Sequence, residues 1–195
     1  MTLSESLLAF GIRIEFRTGD IVFRQGSQTR FVGFVESGAV RLVRHGPAGE
    51  TVVLHEAGTG EWFAEASLDA ARYHCDAVAA RSGRLVRVPS ERIRELQRAD
   101  AEFSRDWAAL LAAQLRTARA RVERLSLKSA ADRVRHLLVS EGRGARCELR
   151  LHGSVKDLAP RLGLTHEALY RTLSRLEREG VIERSERFIR LHGSG

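Results

Sequence analysis

The stretch SVKDLAPRLGLTHEALYRTLSRLEREGVIERSERFIRLHG, residues 154–193, decides the fold. Ser154 followed by Asp157 predicts a capping-box start. Val155, Leu158 and Leu162 share one helical face, and Gly163 ends that helix. Only Leu164 separates it from Thr165, a good N-cap for a second helix. In the second helix, expected over about 166–179, Leu169, Leu173 and Leu176 fall at i, i+4 and i+7 and face inward. Gly180 stops it, and the runs 181–184 and 188–191 flank Ser185-Glu186-Arg187 as a β-hairpin. Helix, short glycine-containing turn, helix and hairpin make a winged helix-turn-helix. Pro160 predicts a kinked or shortened first helix, because proline lacks an N–H and its ring crowds the preceding turn.

The outward face of the second helix carries His166, Glu167, Tyr170, Arg171, Ser174 and Arg175, with Thr165 at its start. An arginine can donate two hydrogen bonds to guanine O6 and N7, and a glutamate can accept from cytosine N4. Glu167 and Arg171 lie four apart, so they can read neighbouring base pairs. The plainer alternative for them is a surface ion pair worth about 0.3–0.5 kcal/mol. For His166, Tyr170 and Arg175 the choice is between phosphate contact and solvated surface.

Upstream, Pro89-Ser90 opens a helical stretch that meets no further Gly or Pro until Gly142, with Ser90 as its expected N-cap. Leu111, Leu115, Ala118, Val122 and Leu125 repeat at spacings of 4, 3, 4 and 3, and Phe103 and Trp107 extend the stripe upstream. Such a narrow stripe, flanked by Arg116, Arg119, Arg121, Glu123 and Arg124, suits a seam between two helices better than a wide core face. A short amphipathic helix over 130–140, with Val134, Leu137 and Leu138 inward, and a weak strand over 147–151 lead into the motif.

Residues 12–88 have a different texture. Short β-type runs at 12–16, 21–23, 31–35, 39–43, 51–54, 77–79 and 85–88 alternate with glycines, and Gly46-Pro47-Ala48-Gly49 is an expected hairpin tip. Many short strands with turn signals between them predict a small all-β barrel or jelly roll.

Charge supports this division. The chain carries 32 basic and 25 acidic residues, net +7. Residues 1–104 are net −1, 105–128 are net +4 and 129–195 are net +4. A polyanionic partner for the C-terminal half follows, although only 2 of the 32 basic residues are Lys, which fits a general bias toward Arg as well. Two cysteines, Cys75 and Cys147, exclude a disulfide framework and a Cys-based zinc or iron–sulfur site within one chain. No basic segment precedes the short apolar patch at the N-terminus, so a secretory signal is not expected, and the expected location is the cytoplasm. A cupin-like metalloenzyme would need a His-x-His pair, and His45, His55 and Glu65 do not supply one; no catalytic residues and no metal site are expected.

Taken together, TGDIVFRQG (18–26), FVESGAVRLVR (34–44) and THEALYR (165–171) make the chain resemble the Crp/Fnr family of bacterial transcription regulators. The resemblance implies an α+β protein: an N-terminal β-roll (a double-stranded β-helix, like cyclic-nucleotide-binding domains) over 1–100, a dimerisation helix over 101–127 and a winged helix-turn-helix over 128–195. It implies a homodimer on a palindromic site, with Glu167 and Arg171 matching the family's base-reading acid and arginine. It also places the effector pocket at 64–79, marked by Glu65, Arg72, His74 and Cys75. There the sequence departs from the cyclic-AMP-binding pattern. Ala64 replaces the glycine before Glu65, His74-Cys75 stands where Arg-Ser would hold the phosphate, and Ala118-Arg119 replaces the polar pair that touches the base. A phosphate site needs a fixed cation and convergent donors. No cofactor is therefore expected, and a cyclic nucleotide is disfavoured against an unidentified effector or none; haem ligation or redox sensing at His74 or Cys75 is a lesser alternative. Candidate partners are double-stranded DNA, a second copy of the chain and RNA polymerase, with no membrane. The likeness to Fnr does not extend to its oxygen-sensing cluster, which resembles a four-cysteine site.

Overall fold

The computed structural model describes residues 7–46, 49–151 and 153–192. Pro47 and Ala48 of the expected hairpin tip lie outside the described residues. The chain forms two compact units, Met1–Leu111 and Ala112–Gly195.

The first unit is an antiparallel, jelly-roll-like β-domain. Its strands are β1 (Ile12–Phe16), β2 (Ile21–Phe23), β3 (Phe31–His45), β4 (Thr51–Gly58), β5 (Trp62–Phe63) and β6 (Asp76–Pro89). The sheet order is β1-β6-β3-β4, with β2 added to β6 and β5 to β3. The sequence runs 31–35 and 39–43 fuse into one strand, as do 77–79 and 85–88, because the pairing continues across bulges at Val35/Ser37 and Ser37/Ala39. Gly38 and Gly83 permit this. Gly38 has φ +85°, and a Cβ on Gly83 would lie 2.0 Å from the Ser37 carbonyl oxygen.

Two faces of the β-structure are covered. Phe16, Phe23, Val35, Phe63, Tyr73, Cys75 and Leu85 fill the inside of the roll. Val32, Trp62, Val86 and Val88 pack instead with Ile93, Phe103 and Trp107. Those three belong to two helices, α1 (Ser90–Ala99) and α2 (Ala101–Ser126). The helical stretch from Ser90 is thus interrupted. Asp100 is extended (φ −132°, ψ 110°). Its Oδ1 accepts from the backbone N–H groups of Glu102 (2.8 Å) and Phe103 (3.1 Å), capping α2. Ser90 is not the cap of α1 as expected. Pro89 holds that position, and the Ser90 hydroxyl is buried without a hydrogen-bond partner.

Phe103 and Trp107 require a second correction. Expected on an intermolecular seam, they are 5% and 2% exposed within the chain. The Trp107 ring meets Trp62 edge-on at 6.4 Å and lies parallel to Phe103 at 6.3 Å. Helical spacing groups apolar side chains into a stripe; it does not say which part is covered within the chain.

The second unit holds the rest of α2, then α3 (Ala130–Glu141), β7 (Leu149–Arg150), a 3-10 turn (Val155–Asp157), α4 (Leu158–Leu162), α5 (His166–Arg178), β8 (Ile182–Arg184) and β9 (Phe188–Leu191). Its core unites Val134, Leu137, Leu138, Leu158, Leu162, Leu169, Leu173, Leu176, Ile182 and Ile189. The capping box at Ser154 and Asp157 is formed. Pro160 leaves its mark: a 3-10 turn leads into a five-residue α4, and the proline sits in the first turn of α4, where no intrahelical donor is needed. The expected strand over 147–151 shrinks to Leu149–Arg150, since Cys147 takes φ +48°.

Candidate nucleic-acid interface

Local chemistry sets the position of α5. Gly163 ends α4 in the left-handed region (φ +60°), and the Leu164 N–H donates to the Ala159 carbonyl. Thr165 caps α5, its hydroxyl accepting from the Ala168 N–H at 3.2 Å. Leu169, Leu173 and Leu176 are fully buried, so the helix is fixed by its back. Its front is bare. His166, Glu167, Tyr170, Arg171, Ser174 and Arg175 are all exposed, as the leucine spacing predicts.

On this face Arg171 and Glu167 lie 3.6 Å apart, with side chains 75% and 87% exposed. The i,i+4 ion pair and base reading are therefore compatible: a solvated pair of this kind contributes little and can be exchanged for base edges. Arg175 is 3.9 Å from Glu179, at the far end of the same stripe. The Ser174 hydroxyl accepts weakly from Arg184 of β8 (3.4 Å), and Arg184 also meets Glu177 at 2.9 Å. These contacts tie the hairpin to the helix. The hairpin turns at Ser185, whose hydroxyl accepts from the N–H groups of Arg187 and Phe188. At its base Glu183 is clasped by Arg190 and Arg146, and the Arg190 guanidinium above all holds its carboxyl below the usual range.

Two further basic groups of this unit have no role assigned from the sequence. Arg187 stands exposed at the hairpin tip, and Lys156 stands exposed on the turn before α4; neither joins an ion pair among the described residues.

Residues 13–100 match the model of the cyclic nucleotide-binding domain, and residues 132–193 match that of the Crp-like helix-turn-helix domain. The chain is 32% identical over 179 residues to the cyclic AMP receptor protein of Thermus thermophilus, covering 90% of this chain and 81% of that one. The chain belongs to the Crp/Fnr family. It is also 27% identical to the transcriptional activator protein anr of Pseudomonas aeruginosa, over 85% of this chain and 70% of that one. The structure of FixK2 from Bradyrhizobium japonicum shares the fold, with a TM-score of 0.76 over 94% of this chain and 93% of that one at 23% identity. This Crp/Fnr protein is thus a DNA-binding transcription regulator, and its relatives are regulators rather than enzymes.

The expected effector segment, residues 64–79, is built differently from the exposed face of α5. Ala64 takes φ +69°, a conformation costly for a residue with a Cβ, and opens the 3-10 turn Glu65–Ser67. Glu65 is 7% exposed, and burial pushes its carboxyl up to about 7. Along 72–75 the chain alternates: Arg72 and His74 are exposed, Tyr73 and Cys75 buried. The four expected pocket residues therefore divide into a buried pair and an exposed pair. Arg72 donates to the Gly26 carbonyl at 2.6 Å, and His74 Nδ1 lies 2.8 Å from the Ser67 hydroxyl. Tyr73 stacks on Phe23 at 3.7 Å and its hydroxyl donates to the Phe31 carbonyl at 2.8 Å, pinning this segment to β3. Burial also pushes the Cys75 thiol up, away from the thiolate that redox sensing uses. No group of three His, Cys, Asp or Glu suited to a metal ion occurs among the described residues.

Proposed function

We propose that the protein acts as a homodimer on palindromic DNA, with α5 of each copy in the major groove and half-sites about one helical turn (~34 Å) apart. The observation that carries this reading is the exposed Glu167–Arg171 face on a helix bolted from behind by three leucines. The dimer half of the reading is supported by Leu111, Leu115, Val122 and Leu125, which are 37%, 51%, 67% and 38% exposed along one side of α2, with Ala118 exposed between them. Such a run of apolar side chains on an isolated helix face calls for a partner helix.

The β-roll of this chain does not answer to a cyclic nucleotide. Arg72 is turned to the Gly26 carbonyl, His74 to Ser67, and neither is a fixed cation facing a phosphate. The two free cysteines suit the reducing cytoplasm, and no described helix is long and apolar enough to cross a membrane. The test is a titration with cyclic AMP and cyclic GMP while sedimentation and DNA affinity are followed. A dimer whose DNA affinity stays within about twofold supports the reading; a tenfold change, ~1.4 kcal/mol of coupling, overturns it.

A further inference from the structure

Three segments meet at the C-terminal end of α2, all within the second unit. The Arg124 side chain is 1% exposed, and its guanidinium donates to Glu141 Oε1 at 2.6 Å and to Ser140 Oγ at 3.2 Å. The other oxygen of Glu141 accepts from Arg161. One carboxylate at the end of α3 thus joins the dimer helix to the first helix of the DNA-binding motif. Arg133 of α3 makes a parallel tie. Its Nε donates to the Leu127 carbonyl (2.8 Å), just past α2, and its Nη1 to the carbonyls of Leu162 (3.2 Å) and Gly163 (3.3 Å), which close α4. The edge of Leu125 reaches Gly163, where an added Cβ would lie 2.9 Å from its Cδ2, while the side chain stays 38% exposed.

A buried arginine is poorly explained by stability. Well-packed apolar side chains replace buried ion pairs at little or no cost, and such pairs are best attested as devices that fix one geometry. Only Leu127, Lys128 and Ser129 lie between α2 and α3, a joint free to pivot unless side chains restrain it. Arg121 faces the same cluster, and burial, then Arg124 and Arg161, lower its pKa, while Glu141 counters them.

We propose that Glu141 is a positioning residue for DNA recognition: by joining Arg124 to Arg161 it fixes the angle between the dimer helix and the helix-turn-helix, and so sets the spacing of the half-sites that are read. This rests on the dimeric reading above. Each added base pair moves one half-site by ~3.4 Å and rotates it about the DNA axis, so a rigid joint tolerates one spacing and a loose joint several.

The test compares wild type with Glu141→Gln on a single half-site, on the palindrome selected from random DNA, and on that palindrome lengthened or shortened by one and two base pairs. For wild type the expected loss is about tenfold or more per base pair of altered spacing; for Glu141→Gln it is about threefold or less, with half-site affinity within about twofold. Unchanged spacing selectivity in a folded Glu141→Gln protein overturns the proposal. So does an equal loss on half-site and palindrome, which would put the effect in α5 itself. If wild type prefers no palindrome over a half-site, or sediments as a monomer, the dimeric reading has failed instead. Should Glu141→Gln not fold, Arg161→Lys, which keeps the charge but loses the planar fork, and Arg133→Met, which cuts the second tie, are both expected to broaden the spacing. Wild-type selectivity in both folded variants also overturns the proposal.

Discussion

Glu65 gives the β-roll a calculable dependence on pH. Its carboxyl, ordinarily near 4.5, is pushed up to about 7 in the folded protein because it is buried in the 3-10 turn Glu65–Ser67. Below about pH 4.5 both folded and unfolded chains hold the proton, and the residue costs nothing. Between 4.5 and 7 the unfolded chain has released its proton while the folded chain retains it, so unfolding gives up a proton and stability falls as pH rises. At about 1.4 kcal/mol per pH unit of separation, the full cost above pH 7 is about 3 kcal/mol. Glu65→Gln is neutral at every pH and removes this slope. Urea unfolding of the two proteins from pH 5 to pH 8 checks it. The variant is expected to be more stable by up to about 3 kcal/mol at pH 8 and to converge within about 1 kcal/mol near pH 5. Parallel stability curves would refute the reasoning, since they would mean that Glu65 is ionised in the folded state across the range.

Other perturbations follow from the same structure. Arg171→Ala is expected to weaken specific DNA binding by about 1–3 kcal/mol and to relax the preference at one G·C pair in a selection experiment; an equal loss on all sequences would make Arg171 a phosphate contact. Trp107→Ala should cost the β-roll unit about 3–5 kcal/mol in denaturant unfolding yet leave sedimentation unchanged, whereas Leu115→Glu should dissociate the dimer with little loss of monomer stability. In a Cys147→Ser background, a disulfide reagent should modify Cys75 in the folded protein ~100-fold more slowly than in the unfolded chain; comparable rates would reopen redox sensing.

The contrast between what the sequence disclosed and what it concealed is physical. Thr165, Leu169, Leu173 and Leu176 act within a few residues of one another, so caps and helical spacing were enough to orient α5 and name its outward face. The break at Asp100 was hidden because Ala99 and Ala101 are good helix formers, and only the N–H groups that Asp100 accepts reveal a cap. Phe103 and Trp107 fit the seam by period, yet period alone cannot distinguish an intrachain partner, here Trp62 in a two-residue strand, from an intermolecular one. Position along the chain groups Arg72 and His74 with Glu65 and Cys75, but the fold leaves the first two exposed and buries the other two, which no local signal discloses. The joining of Arg124, Glu141 and Arg161 had no signature at all, since the three residues come from separate helices and meet only through the fold.

The central claim is that the exposed face of α5 reads DNA sequence in duplicate. Selection from random duplex DNA, with purified protein at about 150 mM salt and no added ligand, tests it most directly. The account predicts an enriched palindrome whose half-sites lie about one helical turn apart and share a G·C pair that is lost with Arg171→Ala. Equal recovery of all sequences by a folded dimer, with an affinity that falls linearly in log salt to the same extent on every duplex, would contradict it.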